Sequence, residues 1–285
     1  MMYRSYEDLS DCIRRNVWKV PGDVDLIVGI PRSGMIPALM IAELLNKRCA
    51  DLDTFIDGKI MASGGRSRLM RSGDIRKVLI LDDTVFFGRA LRKAKEKLEP
   101  ISGNYELIYA TIYAEGKHAK EMVDIYFEEI YRTGETVWLY EWNILHHYEK
   151  KTKFAMWDID GLLCKDPPDD REVEAYEKYL PNAIPMIIPT THVGALVTYR
   201  LEKYRDVTEK WLEKQGVDYG ELKMFDAPDR DTRNQTLSPS KYKAMLYAEA
   251  TWATLFIESE VRQAERIHKY SGKPVFCYAN GVMYK

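Results

Sequence analysis

The sequence predicts an α/β protein with two domains, each a mainly parallel sheet flanked by helices. Apolar runs typical of buried strands alternate with segments of helical period, and this alternation stops and restarts once, near Tyr148–Lys153. Strands that alternate with helices indicate parallel sheets formed from β-α-β units. A chain of 285 residues is long enough for two such domains.

Each predicted element depends on its own local pattern. Short apolar runs predict the strands Asp25–Ile30, Lys77–Leu81, Leu107–Ile112, Phe154–Trp157, Ala195–Thr198, Thr254–Ile257 and Pro274–Cys277. Apolar residues at helical spacing predict the helices Ile36–Asn46, Gly88–Leu98, Leu201–Gln215, Lys241–Ala250 and Val261–Tyr270. The stretch Thr133–Lys153 has no clean period and is rich in aromatic residues, which favours a packed connector over a flexible linker. The predicted domains are therefore residues 1–148 and 149–285.

Composition argues against several classes of protein. The formal net charge is −2, which argues against nucleic acid as the main partner, because phosphate backbones are bound mostly by Lys and Arg. No apolar run approaches the roughly 20 residues of a membrane helix, and the polar N-terminus has no apolar signal core. The cysteines are scattered without a C-x-x-C pair, so neither a zinc site nor a disulfide framework is indicated, and a cytoplasmic location is expected.

The loop after the first predicted strand has the features of an anion site. A buried strand runs into Pro31, Arg32, Ser33 and Gly34, and a helix follows directly. Such a loop presents backbone N–H groups and a helix N-terminus to an anion, and Arg32 adds a positive charge. The alternative is an ordinary strand–turn–helix corner with a surface arginine.

Two adjacent acids follow the second predicted strand. The apolar run Val78–Leu81 leads directly into Asp82 and Asp83, and Gly88 opens the next helix. Open α/β sheets bind ligands at the carboxyl ends of their strands, where carboxylates can take ribose hydroxyls or a hydrated Mg²⁺ ion. The alternative is an N-cap, but a cap needs only one of two mutually repelling acids.

Together, GIPRSGMIP and VLILDDTVFFGRAL resemble the pyrophosphate loop and the PRPP signature of the type I phosphoribosyltransferase family, over about residues 20–130. The resemblance implies that Asp82 and Asp83 bind the ribose hydroxyls of PRPP. It implies that pyrophosphate is held by Arg32, Ser33 and Gly34. The 5-phosphate would be held by the turn formed by Phe87, Gly88, Arg89, Ala90 and Leu91.

The phosphate turn departs from the family pattern. Phe87 and Ala90 stand where the family usually has hydroxyl side chains, and Arg89 stands in place of its second glycine. Backbone amides and Arg89 remain able to bind phosphate. An unusual acceptor and a binding-only site both stay open as alternatives.

A glycine- and arginine-rich segment, Met61–Asp74, separates the two motifs. It stands where the phosphoribosyltransferase family has a mobile flap over the active site. Arg66, Arg68 and Arg71 are therefore candidates to neutralise the leaving pyrophosphate. The alternative for each of these side chains is a solvated basic loop.

The second half of the chain begins with a strand that ends in two acids. The run Phe154–Trp157 leads into Asp158, Ile159, Asp160 and Gly161. If the chain turns at the glycine, both carboxylates can reach one ligand. One can attack phosphorus while the other protonates the leaving oxygen, with Mg²⁺ neutralising the phosphoryl charge. Alone, the D-x-D-G motif also suits a calcium loop or a turn.

The residues that follow, in order, resemble the haloacid dehalogenase superfamily of phosphatases over about residues 153–280. The resemblance implies that Asp158 is the nucleophile, that Asp160 is the general acid/base and a backbone ligand of Mg²⁺, and that Thr198 binds phosphate. It leaves Lys241 and Lys243 as alternatives for the lysine. Asp158, Asp160 and Glu258 would hold Mg²⁺, with Glu260 as the alternative to Glu258, and Arg200 is a candidate substrate contact.

The intervals between these motifs are too short for a large cap domain, which predicts an open site suited to a bulky substrate such as a polymer end. A phosphatase joined to a PRPP-dependent transferase is expected where the final product is an unphosphorylated ribosyl group. The pair resembles the two activities that install ribofuranose in bacterial polysaccharides. This implies transfer of 5-phosphoribosyl from PRPP to a glycan, with release of pyrophosphate, followed by removal of the 5-phosphate.

Mg²⁺ is expected at both sites, and a homodimer is one open arrangement. Two other functions stay open. One is a PRPP- or nucleotide-binding domain that regulates a phosphatase. The other is a nucleobase salvage enzyme fused to a nucleotidase.

Overall fold

The structure is a computed structural model that describes residues 1–61, 74–131, 138–146 and 153–285. Arg66, Arg68, Arg71 and the domain boundary predicted at residue 148 lie outside the described residues. The chain divides into two compact units, Met2–Trp138 and Leu139–Lys285, the latter joined by Met1. The division therefore precedes the predicted boundary, and the exact domain limits stay a prediction.

The N-terminal unit is built on a five-stranded sheet. Its strands and helices are β1 (Met2–Arg4), α1 (Tyr6–Asn16), β2 (Leu26–Gly29), α2 (Met35–Leu45), β3 (Arg48–Asp51), α3 (Leu52–Ile56), β4 (Lys77–Val85), α4 (Arg89–Leu98), β5 (Glu106–Glu115), α5 (Gly116–Glu121) and β6 (Ile125–Ile130), with β7 (Trp138–Tyr140) at the division. The sheet order is β3-β2-β4-β5-β6, and every pairing is parallel.

The central strands of this sheet are continuous apolar runs because helices cover them on both faces. β2 is buried at every position, and the burial of β4 is interrupted only at Lys77 and Thr84. The first helix starts at a capping box, in which Ser5 Oγ accepts from the Asp8 amide and Asp8 Oδ2 accepts from the Ser5 amide. The capping box therefore sets the residue at which α1 begins, and packing against the core stabilises the helix.

The C-terminal unit contains a six-stranded sheet. Its strands and helices are β8 (Ala155–Asp158), α6 (Val173–Tyr179), β9 (Val193–Leu201), α7 (Arg205–Gln215), β10 (Tyr219–Phe225), α8 (Arg230–Thr236), α9 (Pro239–Glu249), β11 (Leu255–Glu258), α10 (Val261–Ser271), β12 (Val275–Cys277) and β13 (Val282–Tyr284). The order is β10-β9-β8-β11-β12-β13, and only the β12–β13 pair is antiparallel. The predicted α/β class with mainly parallel sheets is confirmed.

Strand order explains how distant motifs meet. β8 lies between β9 and β11, and all three run parallel, so their carboxyl ends share one edge of the sheet. That edge is where open α/β sheets bind ligands. Asp158 and Glu258 end β8 and β11, and Thr198 lies on β9.

Among the described residues, no helix is long and apolar enough to cross a bilayer.

Candidate functional sites

Asp82 and Asp83 lie inside β4 and not after its end. The sequence suggested a strand that stops at Leu81, but β5 pairs with β4 as far as Val85 and Ala114, so the ladder continues through both acids. Each aspartate is 7% exposed. Burial raises the pKa of Asp82 well above its usual value, and the neighbouring Asp83 carboxylate adds to the rise.

The loop that carries Arg32 packs directly on β4. A Cβ at Gly34 would lie 2.6 Å from the Ile30 carbonyl oxygen, 2.7 Å from the Leu81 carbonyl oxygen and 3.1 Å from Asp82 Cα, so only glycine fits. Arg32 is exposed and Ser33 is half-buried, and the Pro31–Arg32 peptide bond is cis. The structure thus brings the predicted pyrophosphate loop and the acid pair to the same place.

The predicted phosphate turn begins with an exposed aromatic side chain. Phe87 is 58% exposed, and the Arg89 guanidinium lies 5.7 Å from the centre of its ring. Gly88 adopts a left-handed φ of 63° and begins α4 without a side-chain cap, and Ala90 lies exposed in the first turn. The start of α4 therefore exposes Arg89, Ala90 and Arg92 to solvent, while Leu91 is buried.

The raised pKa of Asp82 gives a stability prediction for Asp82→Asn. A carboxyl whose pKa is higher in the folded state destabilises that state as pH rises from about 4 through the folded-state pKa. The amide has no charge to bury and keeps the oxygen that accepts from the Asp83 amide at 3.0 Å. The gain in unfolding free energy should therefore be absent at pH 4 and present at pH 7.

Denaturant titrations at the two pH values measure this gain. The control is Asp57→Asn, which changes an exposed carboxylate of the same unit and should alter stability little at either pH. A pH-independent effect of Asp82→Asn would contradict the prediction.

In the C-terminal unit, a buried lysine bridges two buried carboxylates. Lys243 Nζ lies 2.9 Å from Asp158 Oδ2 and 2.8 Å from Glu258 Oε2, and all three side chains are at most 4% exposed. Burial alone would lower the pKa of Lys243, but the attraction of both carboxylates outweighs it and the pKa lies above its usual value. Burial and Glu258 raise the pKa of Asp158, and Lys243 opposes the rise.

The structure distinguishes between residues that the sequence left as alternatives. Lys241 is exposed, and its Nζ lies 6.0 Å from the centre of the Tyr270 ring, away from Asp158. Glu260 caps α10, where it accepts from the Arg262 and Gln263 amides. Lys243 and Glu258 are therefore the members of each pair that lie beside Asp158.

Asp160 is held by a hydroxyl and a guanidinium. Thr198 Oγ1 donates to Asp160 Oδ2 at 3.2 Å, and Arg200 Nη2 donates to Asp160 Oδ1 at 2.6 Å. Arg200 is 1% exposed, whereas the Asp160 side chain is 21% exposed. The guanidinium of Arg200 is therefore committed to Asp160 and almost fully buried, and its expected role as a substrate contact stays a prediction.

Ser259 is a site residue that the sequence did not single out. Its Oγ lies 3.1 Å from Asp158 Oδ2, 3.0 Å from the Asp160 carbonyl oxygen and 3.2 Å from Glu258 Oε1. A hydroxyl has one proton and can donate to only one of these acceptors at a time. The only sequence signal was its place between Glu258 and Glu260.

This cluster of oxygens suits a hard divalent cation. The two carboxylates and the carbonyl are the ligand types that Mg²⁺ prefers. Lys243 and the backbone amides of Ile159, Ser259 and Glu260 also donate to these carboxylates. Among the described residues, no three His, Cys, Asp or Glu side chains group as a metal site. The Mg²⁺ site expected at Asp158, Asp160 and Glu258 therefore stays a prediction.

A cavity of about 470 Å³ opens beside these residues. It is lined by the acids Asp158, Asp160, Asp166 and Asp170, the rings Pro167, Pro168, Tyr176, Tyr199 and Pro239, and the cations Arg200, Arg233 and Lys243, among others. Asp170 pairs with Arg230 at 2.6 Å and with Arg233 at 2.5 Å, so the loop after Gly161 is tied to α8. Burial, with Asp160, raises the pKa of Asp166. No sequence signal identified Asp170 or Arg233.

Comparisons with known proteins give fold-level likenesses. No family model matches the chain. Similar solved structures include a purine phosphoribosyltransferase from Pyrococcus horikoshii, 22% identical over 50% of this chain and 92% of that chain, with a TM-score of 0.35. The xanthine-guanine-hypoxanthine phosphoribosyltransferase of Helicobacter pylori is 16% identical over 50% and 94% of the chains, at 0.36.

A chain of the Pnkp1/Rnl/Hen1 RNA repair complex is also similar. It is 15% identical, covers 88% of this chain and 94% of that chain, and has a TM-score of 0.33. At such identities and TM-scores, likeness alone assigns no activity to this chain.

Proposed function

We propose that the C-terminal unit is a phosphatase with an aspartate nucleophile. The observation that carries this proposal is the buried ion triad in which Lys243 bridges Asp158 and Glu258 at the carboxyl edge of the sheet. Taking three charged groups out of water is costly, and a buried ion pair is weak evidence of a purely stabilising role. Burial and charge clusters of this kind are characteristic of catalytic sites.

The roles of the site residues follow from their positions. Asp158 attacks phosphorus and becomes an aspartyl-phosphate, while Lys243 holds its carboxylate in place before the attack. Asp160 protonates the leaving oxygen and later activates the water that hydrolyses the intermediate. Mg²⁺ bound by Asp158, the Asp160 carbonyl and Glu258 would neutralise the phosphoryl charge. Thr198, which donates to Asp160, would bind the same phosphate.

For the N-terminal unit we propose PRPP binding and phosphoribosyl transfer. Asp82 and Asp83 are buried acids beside a glycine loop that carries Arg32, and α4 begins nearby in sequence with no side-chain cap. The acids would bind the ribose hydroxyls, and the loop would bind the pyrophosphate that leaves. Repulsion between the acids and their burial both favour a cationic or hydroxylated ligand.

The two activities form one sequence of reactions. Transfer from PRPP leaves a phosphate on carbon 5 of the ribosyl product, and a phosphatase on the same chain removes it. Joining the sites raises the effective concentration of the intermediate at the second one. We therefore propose that the product is an unphosphorylated ribofuranosyl group on an acceptor, with a glycan as the acceptor class.

A second candidate is favoured by one observation. Phe87, with its ring 58% exposed, stands where the related phosphoribosyltransferases have a hydroxyl side chain in the phosphate turn. A unit with this turn could bind PRPP or a nucleotide without transfer and regulate the phosphatase. Such a protein would bind PRPP but release no pyrophosphate with any acceptor.

The test measures pyrophosphate release from PRPP by the whole chain with Mg²⁺, using a panel of glycans and free nucleobases. Release that requires a glycan is the expected result, and release that requires a nucleobase would indicate salvage chemistry instead. The double variant Asp82→Asn/Asp83→Asn should lose this release by at least about 100-fold, because each charged hydrogen bond contributes about 1.5–3 kcal/mol.

The double variant also contains its own control. It should hydrolyse p-nitrophenyl phosphate at the normal rate, since the phosphatase residues lie in the other unit. Undiminished use of PRPP by this variant would contradict the assignment of the N-terminal site.

A further inference from the structure

The guanidinium of Arg200 contacts both carboxylate oxygens of Asp160. Nε of Arg200 lies 3.2 Å and 3.1 Å from the two carboxylate oxygens of Asp160, and Nη2 lies 2.6 Å from Oδ1. A planar guanidinium that meets a carboxylate edge-on fixes both the position and the plane of that carboxylate. Thr198 Oγ1 adds a further contact at 3.2 Å.

The rest of the Arg200 side chain is directed at the protein. Nη1 donates to Thr208 Oγ1 at 3.3 Å, and Nη2 lies 3.5 Å from Cys164 Sγ. The backbone amide of Arg200 donates to Thr198 Oγ1 at 3.2 Å, which links it to the other contact of Asp160. Arg200 borders the cavity with only 1% of its side chain exposed, whereas Asp160 is 21% exposed, so Asp160 is the more accessible of the two to a substrate.

We propose that Arg200 is a positioning residue that acts on substrate only through Asp160, a role that rests on the phosphatase activity proposed above. Arg200 holds the Asp160 carboxylate at the angle from which it reaches the leaving oxygen. Asp160 alone turns freely about its side-chain bonds, so the two-point contact with Arg200 replaces many orientations with one. The carboxylate stays 21% exposed on the side of the cavity.

This role makes the effect of Arg200 depend on the leaving group. An alkyl phosphate such as ribose 5-phosphate releases a strongly basic alkoxide, which needs a proton from Asp160 as the bond to phosphorus breaks. p-Nitrophenyl phosphate releases a weakly basic phenolate, which leaves without that proton. A group that acts through Asp160 therefore matters for the first ester and little for the second.

The experiment compares kcat/KM for both esters, because kcat/KM covers only the steps up to formation of the aspartyl-phosphate. Arg200→Gln should lower kcat/KM for ribose 5-phosphate about 100-fold, within the range of general-acid contributions, and that for p-nitrophenyl phosphate less than about threefold. In an Asp160→Asn background, Arg200→Gln should cause no further loss for either ester, because the group through which it acts is already missing.

Several results would overturn the proposal. Equal losses for the two esters would point to a general structural role, and a further loss for ribose 5-phosphate in the Asp160→Asn background would point to direct substrate contact. Arg205→Gln is the matched control, since Arg205 also pairs with carboxylates, Glu202 and Glu209, but outside the cavity lining. It should leave both esters unchanged. If the wild-type protein hydrolyses neither ester, the phosphatase function itself fails, and the role of Arg200 fails with it.

Two milder variants keep the test decisive if Arg200→Gln does not fold. Arg200→Lys keeps the charge but not the planar fork, and should lose activity on ribose 5-phosphate selectively. Thr208→Val removes the hydroxyl contacted by Nη1, and should show the same selectivity to a smaller degree. Thermal melting monitored by circular dichroism establishes which variants are folded, and an unselective loss in the folded ones would overturn the proposal.

Discussion

Asp158→Asn should abolish hydrolysis of phosphate esters and leave transfer from PRPP intact. The amide cannot attack phosphorus, so kcat should fall by about 10⁴-fold or more, the order seen when a nucleophile is removed. The variant should also stay folded, because burial and Glu258 already disfavour the charged form of Asp158 and the amide relieves that cost. With PRPP and acceptor, the 5-phosphorylated product should therefore accumulate.

Phosphorus NMR of the reaction mixture distinguishes the accumulated phosphate ester from free phosphate. The control is Asp169→Asn in the loop after Gly161, where the exposed carboxylate pairs with Arg171 and not with the site residues. This variant should keep both activities. If Asp158→Asn stopped both reactions, the proposal that the two sites work independently would be wrong.

The sequence predicted the order of buried strands and helices because hydrophobic periodicity and the residues that end a helix are local features of the chain. α10 was expected at Val261–Tyr270 and spans Val261–Ser271, where a glycine in a left-handed conformation ends it. β10 and β6 were missed, since Tyr219–Phe225 and Ile125–Ile130 carry charged residues within the strand. Their pairing with β9 and β5 holds them in the sheets, and sequence patterns do not report such neighbours.

The sequence also misplaced the ends of the strands that carry the candidate site residues. Asp82 and Asp83 were expected just beyond a strand and Thr198 at the last position of one, but β4 and β9 continue past them. The polarity of a side chain suggested a loop, whereas the backbone ladder with β5 and β10 continues regardless of that polarity. A functional acid inside a strand is a place where local preference and the fold disagree.

Side-chain direction could not be predicted from spacing alone. Lys241 and Lys243 are two residues apart on α9, and two positions on a helix point to different faces. Which of them meets Asp158 depends on how the helix packs on the sheet, and it is Lys243 that is buried. Arg200 lies two residues after Thr198 on β9, and spacing alone did not show that its guanidinium would be almost fully buried against Asp160.

Lys243→Met should have the largest effect on stability. It leaves Asp158 and Glu258 buried without their cation, and breaking a buried ion pair by removing one partner costs about 3–5 kcal/mol. Hydrolysis should fall with it, because the nucleophile loses the group that holds it. Denaturant unfolding in the presence of a chelator measures the loss of unfolding free energy. Release of phosphate from ribose 5-phosphate measures the loss of hydrolysis.

Lys241→Met is the matched control, two residues earlier on the same helix. Its ammonium group is exposed and lies 6.0 Å from the Tyr270 ring, so unfolding should change by less than about 0.5 kcal/mol and hydrolysis should be unaffected. Equal effects of the two substitutions would contradict the assignment of Lys243.

Titration with Mg²⁺ tests whether Asp158 and Glu258 bind the ion. A ligand that binds the folded state stabilises it according to its concentration and affinity, and a cation should bind more tightly where a lysine no longer competes for the same carboxylates. Titration with Mg²⁺ should therefore raise the unfolding free energy of Lys243→Met more than that of the wild-type protein. An equal increase in both proteins would mean that Asp158 and Glu258 are not the carboxylates that meet the ion.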